Sequence, residues 1–477
     1  MSERRPPVSL PRAMTHVGAL PVQTYVGNPK DRTEAGKALR DRCARTLHAR
    51  WTPRPRRVDP VAILIDNSRG RLKALLPIRY GRMMADPFAF YRGAAALMAY
   101  DLATTPVTGP TVQACGDAHL LNFGGFATPE RNIVFDLNDF DETAVAPWEW
   151  DVKRLAASFT VAARVKGLRA ASCQEAAWEA ARSYRRHVIA YAGTPVLDAW
   201  YDVVDLEEII ETSRDPRERR YYRRAIKTAA TESAREKEFA RLAHRAGRPA
   251  RIRDHPPLIY HLDGPRHHAF HRVATHALAG YRESLAPERR LLLDRFELAD
   301  AAFKVVGVGS VGTFCGIMLL MSGDGEPLFL QFKEARASVL ERHVGPSPYP
   351  HHGQRVVVGQ RLMQAASDIF LGWTTGADGD NRQFYLRQLR DAKIKPVVEL
   401  MSAADLQGYA RLCGRALARA HARSLDTVML AGYLGSSDTF EDALAKFGDE
   451  YARQNERDHD TLLGAIKRGL IAATPGT

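Results

Sequence analysis

The spacing of apolar residues along the chain changes period several times, and each change predicts a different element. Residues 1 to about 30 show no period; they are rich in Pro and Arg, and a mobile arm is expected there. From Asp31 to Trp51 the stripe Ala35, Leu39, Cys43 and Leu47 predicts a short amphipathic helix, ended by Pro53 and Pro55. Asp86-Pro87 opens a predicted helix over Phe88–Leu102, with Pro in its first turn. Val152, Leu155, Ala156, Phe159 and Ala163 share one face of a further helix, which Asp151 can cap. Long helical patterns follow over 174–192, 195–211 and 216–247. Strand patterns then take over: a β-prone run at Phe303, a glycine turn, a second run through Thr313–Leu319, and a third ending at Lys333. A helix over Gly353–Ala366, strands near Phe384–Leu389 and Val397–Met401, and a helix over Asp405–Arg423 come next. Amphipathic helices over 438–468 end the chain. Helices, then strands, then helices again make an α+β pattern.

Composition narrows the class. At 477 residues the chain has room for one large bilobal domain or two to three smaller ones. An apolar share of 45% suits a globular core, and no run of 18 apolar residues predicts a membrane span. The start, MSERRPPVSLPRAM, places Pro and Arg where a signal peptide needs an apolar core. Cys43, Cys115, Cys173, Cys315 and Cys413 are scattered, which argues against a disulfide framework and a zinc site; a reducing cytoplasm is the expected setting.

The net charge of +13 is unevenly spread. Residues 1–59 carry 13 Lys and Arg against 5 Asp and Glu, and residues 212–256 carry 14 against 6. Such patches can meet nucleic acid. In the second, Glu218, Glu232, Glu236 and Glu238 recur at helical spacings, which predicts a solvated, ion-paired helix face instead. His261, His267, His268 and His271 lack the spacing of a metal-binding helix or a Cys partner, so no metal is expected there.

The chemistry is concentrated in Gln113–Glu142, which holds two acidic clusters. The first is Gly116-Asp117-Ala118-His119-Leu120-Leu121-Asn122, and the second is Asp136-Leu137-Asn138-Asp139-Phe140-Asp141-Glu142, directly after the β-prone Ile133-Val134-Phe135. Together the clusters hold five carboxylates, one His and two Asn, interleaved with apolar anchors that a merely soluble loop would not need. An Asp that orients a hydroxyl, an Asn five residues on, and a later Asp form a set suited to Mg²⁺-dependent phosphoryl transfer. Magnesium takes hard oxygen ligands, commonly one or two carboxylates plus substrate phosphates. Asp117, Asn122 and Asp139 fit that order, with Asp136 and Asp141 as rivals to Asp139. The plainer reading is a polar hairpin whose Asp and Asn cap turns.

A second informative stretch runs from Phe303 to Ala335. Gly307, Gly309 and Gly312 sit between β-prone runs, with Ser310 among them. A dinucleotide fold would open a helix at this point. Here the chain continues as strand, and Lys333 ends a later one, an arrangement suited to a glycine lid over phosphates and a lysine that pairs with them. Alternation places Glu334 on the opposite face from Lys333, leaving Glu341 as the candidate partner. The helix over Gly353–Ala366 offers Gln354, Gln360 and Gln364 but no Glu. Arg79, Arg82 and Arg92 precede the acidic stretch, and at least one is expected to neutralise it while the others lie on the surface.

The first cluster resembles the catalytic loop of the aminoglycoside and choline kinase branch of protein-kinase-like proteins, although Cys115 stands where those kinases usually have His. Leu417-Ala418-Arg419-Ala420-His421 is similar to the segment that precedes that loop, yet it comes some 300 residues after it. The resemblance therefore implies an α+β, protein-kinase-like bilobal fold in circularly permuted order. Residues 1–59 would be a basic extension, 60–300 the helical lobe, 301–400 a β-rich nucleotide lobe, and 401–477 a return to the helical lobe. An Asp such as Asp151 would then brace the loop, a role no less open to it than capping. Over roughly 75 to 440 the segments PIRYGRM, CGDAHLLNFGGFATPER, FDLNDFDET, PWEWDVKRLAAS, GVGSVGT, GQRLMQAASDIFLGW and LARAHARS also resemble the bacterial domain-of-unknown-function 2252 family.

The function these resemblances imply is ATP- and Mg²⁺-dependent phosphotransfer to a small-molecule acceptor. Asp117 would be the base or orienting group and His119 a brace beside it. Asn122 and Asp139 would hold metal. Lys333 would clamp phosphate under Gly307, Gly309, Ser310 and Gly312, with Glu341 as its ion-pair partner. The alternatives are a nucleotide-binding pseudokinase, a nucleotidyl (AMP) transferase, and a basic nucleic-acid binder. The last is disfavoured because the basic patches lack interleaved aromatics apart from Tyr221-Tyr222. No membrane partner is expected.

Overall fold

A computed structural model describes residues 27–475 except 208–209, 211–215, 217–218, 221–222, 225–238, 240, 246–249, 262–264, 306, 308, 310, 377–380 and 390–392. The expected N-terminal arm lies almost wholly outside these residues, as do Ser310 and most of the helical segment 216–247. The architecture is mixed α+β, with a helix-rich part and a sheet-centred part meeting at a cleft. No described helix is long and apolar enough to cross a membrane.

The helix-rich part is built around Trp148–Val165, whose residues from Trp148 to Ala163 are all buried. The helices Ala170–Ala192, Ala403–Ala422 and Thr439–Lys467 pack around it. Alanines at 156, 157, 176, 177, 180, 416 and 420 face the same core, and their small side chains let these helices approach closely. Trp148 fills the space that remains, stacked on Tyr184 with ring centroids 5.9 Å apart. Burying a side chain of this size stabilises the fold by about 1.5–3 kcal/mol or more.

Two small antiparallel units carry the acidic stretch. Strand β1 (Thr111–Ala114) leads into it, β2 (Phe123–Ala127) and β3 (Ile133–Leu137) form the hairpin between its clusters, and β4 (Ala144–Pro147) returns beside β1. A hairpin, β5 (Ala243–Arg245) and β6 (Ala250–Ile252), lies over one face of the main sheet. That sheet contains β7 (Ile259–Tyr260), β8 (Phe296–Lys304), β9 (Cys315–Ser322), β10 (Pro327–Glu334), β11 (Gly372–Thr375) and β12 (Gln383–Gln388), in the order β11-β12-β10-β9-β8-β7. Strand β13 (Lys393–Ile394) leaves the sheet part and pairs with β2, stitching the two parts together.

Period-two alternation decides what each face of the sheet carries. Phe303, Met318, Leu320, Leu330, Phe332, Phe384 and Leu386 pack against the helix Pro265–Glu283. On the other face, Ile317, Leu319 and Phe329 pack under the β5–β6 hairpin. Toward the cleft that second face turns polar: Lys333 stands opposite Tyr385, and Gln331 opposite Arg387.

Several boundaries differ from the sequence expectation. The division expected at 300/301 falls inside β8, and Pro265–Glu283 packs on the sheet, so the sheet-centred part begins well before 301. The expected helix over Phe88–Leu102 is two helices, Pro87–Gly93 and Ala95–Leu102, broken where the Gly93 carbonyl accepts from the buried Arg79 at 3.0 Å. The pattern over 195–211 is interrupted after Val196–Tyr201, where the Val204 carbonyl takes a hydrogen bond from Phe135 N, and helical backbone resumes at Leu206. Val397–Met401, expected as a strand, holds a short 3-10 turn.

Candidate functional site

The cleft between the two parts has a volume of about 880 Å³, and both informative stretches line it. Its floor is the loop from Cys115 to Asn122. Gly116 makes the turn possible: its φ is +81°, and a Cβ there would lie 2.2 Å from the Glu142 carbonyl oxygen. Asp151 then fixes the loop. Its two carboxylate oxygens accept from Cys115 N at 2.6 Å and Gly116 N at 2.9 Å, and His421 Nε2 lies 3.2 Å from Oδ2. Of the two roles open to Asp151, loop support is therefore the one present; no side chain caps its helix. The helix carrying His421 ends beside β1, where Ser424 Oγ accepts from Gln113 N at 3.0 Å.

Asp117 projects into the cleft, its Oδ1 accepting from Arg154 Nε at 2.6 Å. Burial raises its carboxyl above the usual range, while Arg154 and then Arg92 oppose that shift. Arg154 is not among the residues expected from the sequence. The available signal was its place three residues after Asp151, on the same helix face. His119 braces the loop, since its Nδ1 accepts from Leu121 N at 3.2 Å. Its Nε2 is 3.9 Å from Asp117 Oδ2, and burial holds the ring well below its ordinary pKa, hence neutral. Asn122 spends its amide N–H on the Asp117 carbonyl at 2.7 Å, which leaves the amide oxygen as its metal-capable atom. Cys115, buried under the loop, donates to the Asp139 carbonyl at 3.2 Å and so joins the two acidic clusters.

The second cluster splits. Asp136 is sealed: Arg419 Nη2 reaches Oδ1 at 3.0 Å and Oδ2 at 2.9 Å, and Leu137 N and Ala365 N also donate to it. That excludes Asp136 as a ligand for a cleft-bound ion. Asp139 and Asp141 open onto the cleft, both facing Lys333 Nζ, at 3.7 and 3.3 Å. Tyr385 donates to Asp141 Oδ1 at 2.6 Å. Burial and the neighbouring Asp141 raise Asp139, with Lys333 opposing, and the two carboxylates hold the Lys333 ammonium firmly protonated.

The glycine turn forms one wall, with Gly307 and Gly309 on the cleft. Arg71 holds it, donating from Nη1 to the Gly309 and Val311 carbonyls at 2.9 and 2.7 Å, while Leu72 N donates to the Gly312 carbonyl. Gly312 has a φ of +87°, open to glycine and strained for other residues. Ser310 lies outside the described residues.

Two charged residues differ from expectation. Glu341 lies at the edge of the cleft, but its carboxylate faces Arg355 Nε at 3.4 Å and accepts from Ser338 N, so it is not the partner of Lys333. The helix expected over Gly353–Ala366 spans His352–Met363, and the charge it supplies is Arg355. That guanidinium donates to the Thr143 carbonyl, to the Asp141 carbonyl at 2.9 Å and to the Arg336 carbonyl at 2.7 Å, fixing the backbone of the acidic cluster. Of the three early arginines, Arg92 lines the cleft and acts on Asp117, whereas Arg79 is fully buried rather than on the surface.

Among known families, the model of one, described as an uncharacterized protein conserved in bacteria (DUF2252), matches residues 71–465. The chain belongs to this family. The matched DUF2252 span takes in every residue lining the cleft except Asp66 and Asn67. No curated protein and no solved structure matches the chain.

Proposed function

We propose that this DUF2252 protein is an ATP- and Mg²⁺-dependent phosphotransferase with a permuted kinase-like arrangement, acting on a small-molecule acceptor. The observation that carries the reading is the meeting of Lys333 with Asp139 and Asp141, 192 residues from Asp141 along the chain, beside Asp117 and the glycine turn. A lysine beside carboxylates that can hold a cation is the arrangement that polyphosphate binding needs.

The donors that would hold Mg²⁺ are hard oxygens from Asp139, Asp141 and the Asn122 amide; among the described residues no group of three or more His, Cys, Asp or Glu is placed to hold a metal ion by itself. The remaining coordination would come from phosphates and water, as is usual for this ion. Bound there, Mg²⁺ would neutralise charge on the β- and γ-phosphates. Lys333 then pairs with phosphate oxygens, and the backbone of the glycine turn closes over them. Asp117, held by Arg154, orients the acceptor hydroxyl and takes its proton as the bond to the γ-phosphorus forms and the bond from that phosphorus to the departing ADP breaks.

A thermal-shift titration tests this. Nucleotide at ~100 times its dissociation constant should stabilise the chain by about 2.7 kcal/mol. The effect should need Mg²⁺ and weaken in Lys333→Ala. A flat response to every nucleotide overturns the reading. Release of pyrophosphate instead of ADP during turnover would replace phosphotransfer with AMP transfer.

A further inference from the structure

Several cations stand near Asp117, and one of them makes no hydrogen bond or ion pair among the described residues. Arg154 is spent on Asp117 and on the Tyr91 carbonyl. Arg71 is spent on the glycine turn. Arg92 is different. Its guanidinium forms no hydrogen bond or ion pair with any described residue, and its buried Nε lacks an acceptor. It comes from the helix Pro87–Gly93 and lines the cleft with Asp117, His119 and Asn122. It lies close enough to oppose the burial-driven rise of Asp117 and to add to the burial-driven fall of His119. The carboxylates that act on it from a distance are Asp117, Asp86 and Glu399, none within ion-pair reach, and Asp86 is committed to capping, accepting from Phe88 N and Ala89 N at 2.8 Å. Lys395 adds an exposed cation to the lining of the cleft, one residue past the Ile394–Gly125 pair.

An arginine kept half-buried without an acceptor loses hydration that no described residue returns. A planar guanidinium in a cleft is matched by a carboxylate or phosphate, which accept two of its N–H groups side by side. Lys333 and the acidic pair already serve the nucleotide end. We infer that the phosphoryl acceptor is itself an anion, a hydroxyl compound bearing a carboxylate or phosphate group that Arg92 binds while its hydroxyl lies on Asp117. This rests on the phosphotransfer reading. In the step, the acceptor oxygen bonds to the γ-phosphorus as the bond to ADP breaks, its proton passes to Asp117, and the anionic group is unchanged. A cationic amine or amino-alcohol acceptor would meet Arg92 as a like charge.

The test uses the full chain and binding readouts that need no turnover. Melting temperature is followed against glycerate and glycerol 3-phosphate as anionic probes, and ethanolamine and choline as cationic ones. Each is tested with and without Mg²⁺ and a non-hydrolysable ATP analogue. Only the anions should stabilise the wild type, and their apparent affinity should fall about tenfold or more in Arg92→Gln. Arg92→Lys, which keeps the charge, should recover part of it, and it also serves should Arg92→Gln fold poorly. Anion binding lost in Lys333→Ala but kept in Arg92→Gln would place the anion at the nucleotide end and overturn the inference. So would preferential stabilisation by the cationic probes, or no response to any anion. A missing response to the ATP analogue alone counts against phosphotransfer and leaves the anion comparison between Arg92→Gln and Lys333→Ala readable.

Discussion

Asp136 and Asp139 stand three residues apart in one acidic cluster, yet they end in opposite circumstances. Asp136 and its partner Arg419 are both completely excluded from solvent, whereas Asp139 keeps a third of its side chain exposed on the cleft. The first pair joins β3 to the helix Ala403–Ala422 and is further satisfied by two backbone N–H groups. The second faces Lys333 from a separate sheet and shares it with Asp141. One carboxylate has become architecture while the other is left able to exchange its partner for a ligand. Identical side chains in one motif are sorted by which cation reaches them and by how completely water is shut out.

The largest effect should come from breaking the sealed pair. Arg419→Met leaves a buried carboxylate without its cation and should cost about 3–5 kcal/mol, read as a lower denaturant midpoint. Should the variant unfold at the wild-type midpoint, Asp136 is not the structural member of the cluster.

Glu142 sharpens the contrast from the same cluster. Burial pushes its carboxyl up to about 7, although Val339 N donates to Oε2 at 2.7 Å. Its folded pKa lies above the unfolded one, so the folded chain binds the extra proton more tightly. Stability should therefore fall as pH rises from about 4.5 to about 7, by up to about 1.4 kcal/mol per pH unit. Glu142→Gln should flatten that slope in urea melts at several pH values. An unchanged slope would assign the dependence to other groups.

Asp151→Ala should cost about 1–3 kcal/mol, because two buried backbone N–H groups of the loop lose their acceptor. Amide exchange at Cys115 and Gly116 should quicken in step. Protection that persists there would mean that Asp151 is not what holds the loop.

The smallest effect on stability belongs to the open carboxylate. Asp139→Asn removes an attraction to Lys333 and a repulsion from Asp141 together, so its midpoint should stay within about 1 kcal/mol of wild type. The stabilisation by Mg²⁺ and nucleotide should nevertheless be lost. A variant that instead unfolds early, and binds as before, would erase the distinction from Asp136.

Much of this arrangement was legible along the chain. Alternation in β10 places Lys333 on the face opposite Phe332, and the Asp117-to-Asn122 spacing places both on one loop. The arginines were not legible in this way. Arg154, Arg355, Arg387 and Arg419 each act on a loop or strand that belongs to another element. Glu341 was misassigned for the same reason, since Arg355, the cation that takes it, is placed by helix packing.

What the amino-acid order determined by itself was local: period-two and helical patterns that depend on neighbours a few residues away, and a cluster of hard-oxygen donors between two strands. What only the tertiary structure decided was the fate of each charge. A carboxylate's role depends on solvent exclusion and on a cation within about 4 Å, and here those cations come from 192 residues away for Lys333 and 283 for Arg419. Nothing local in the chain specifies such a distance, and only the packing of the sheet and the helices against the acidic stretch sets it.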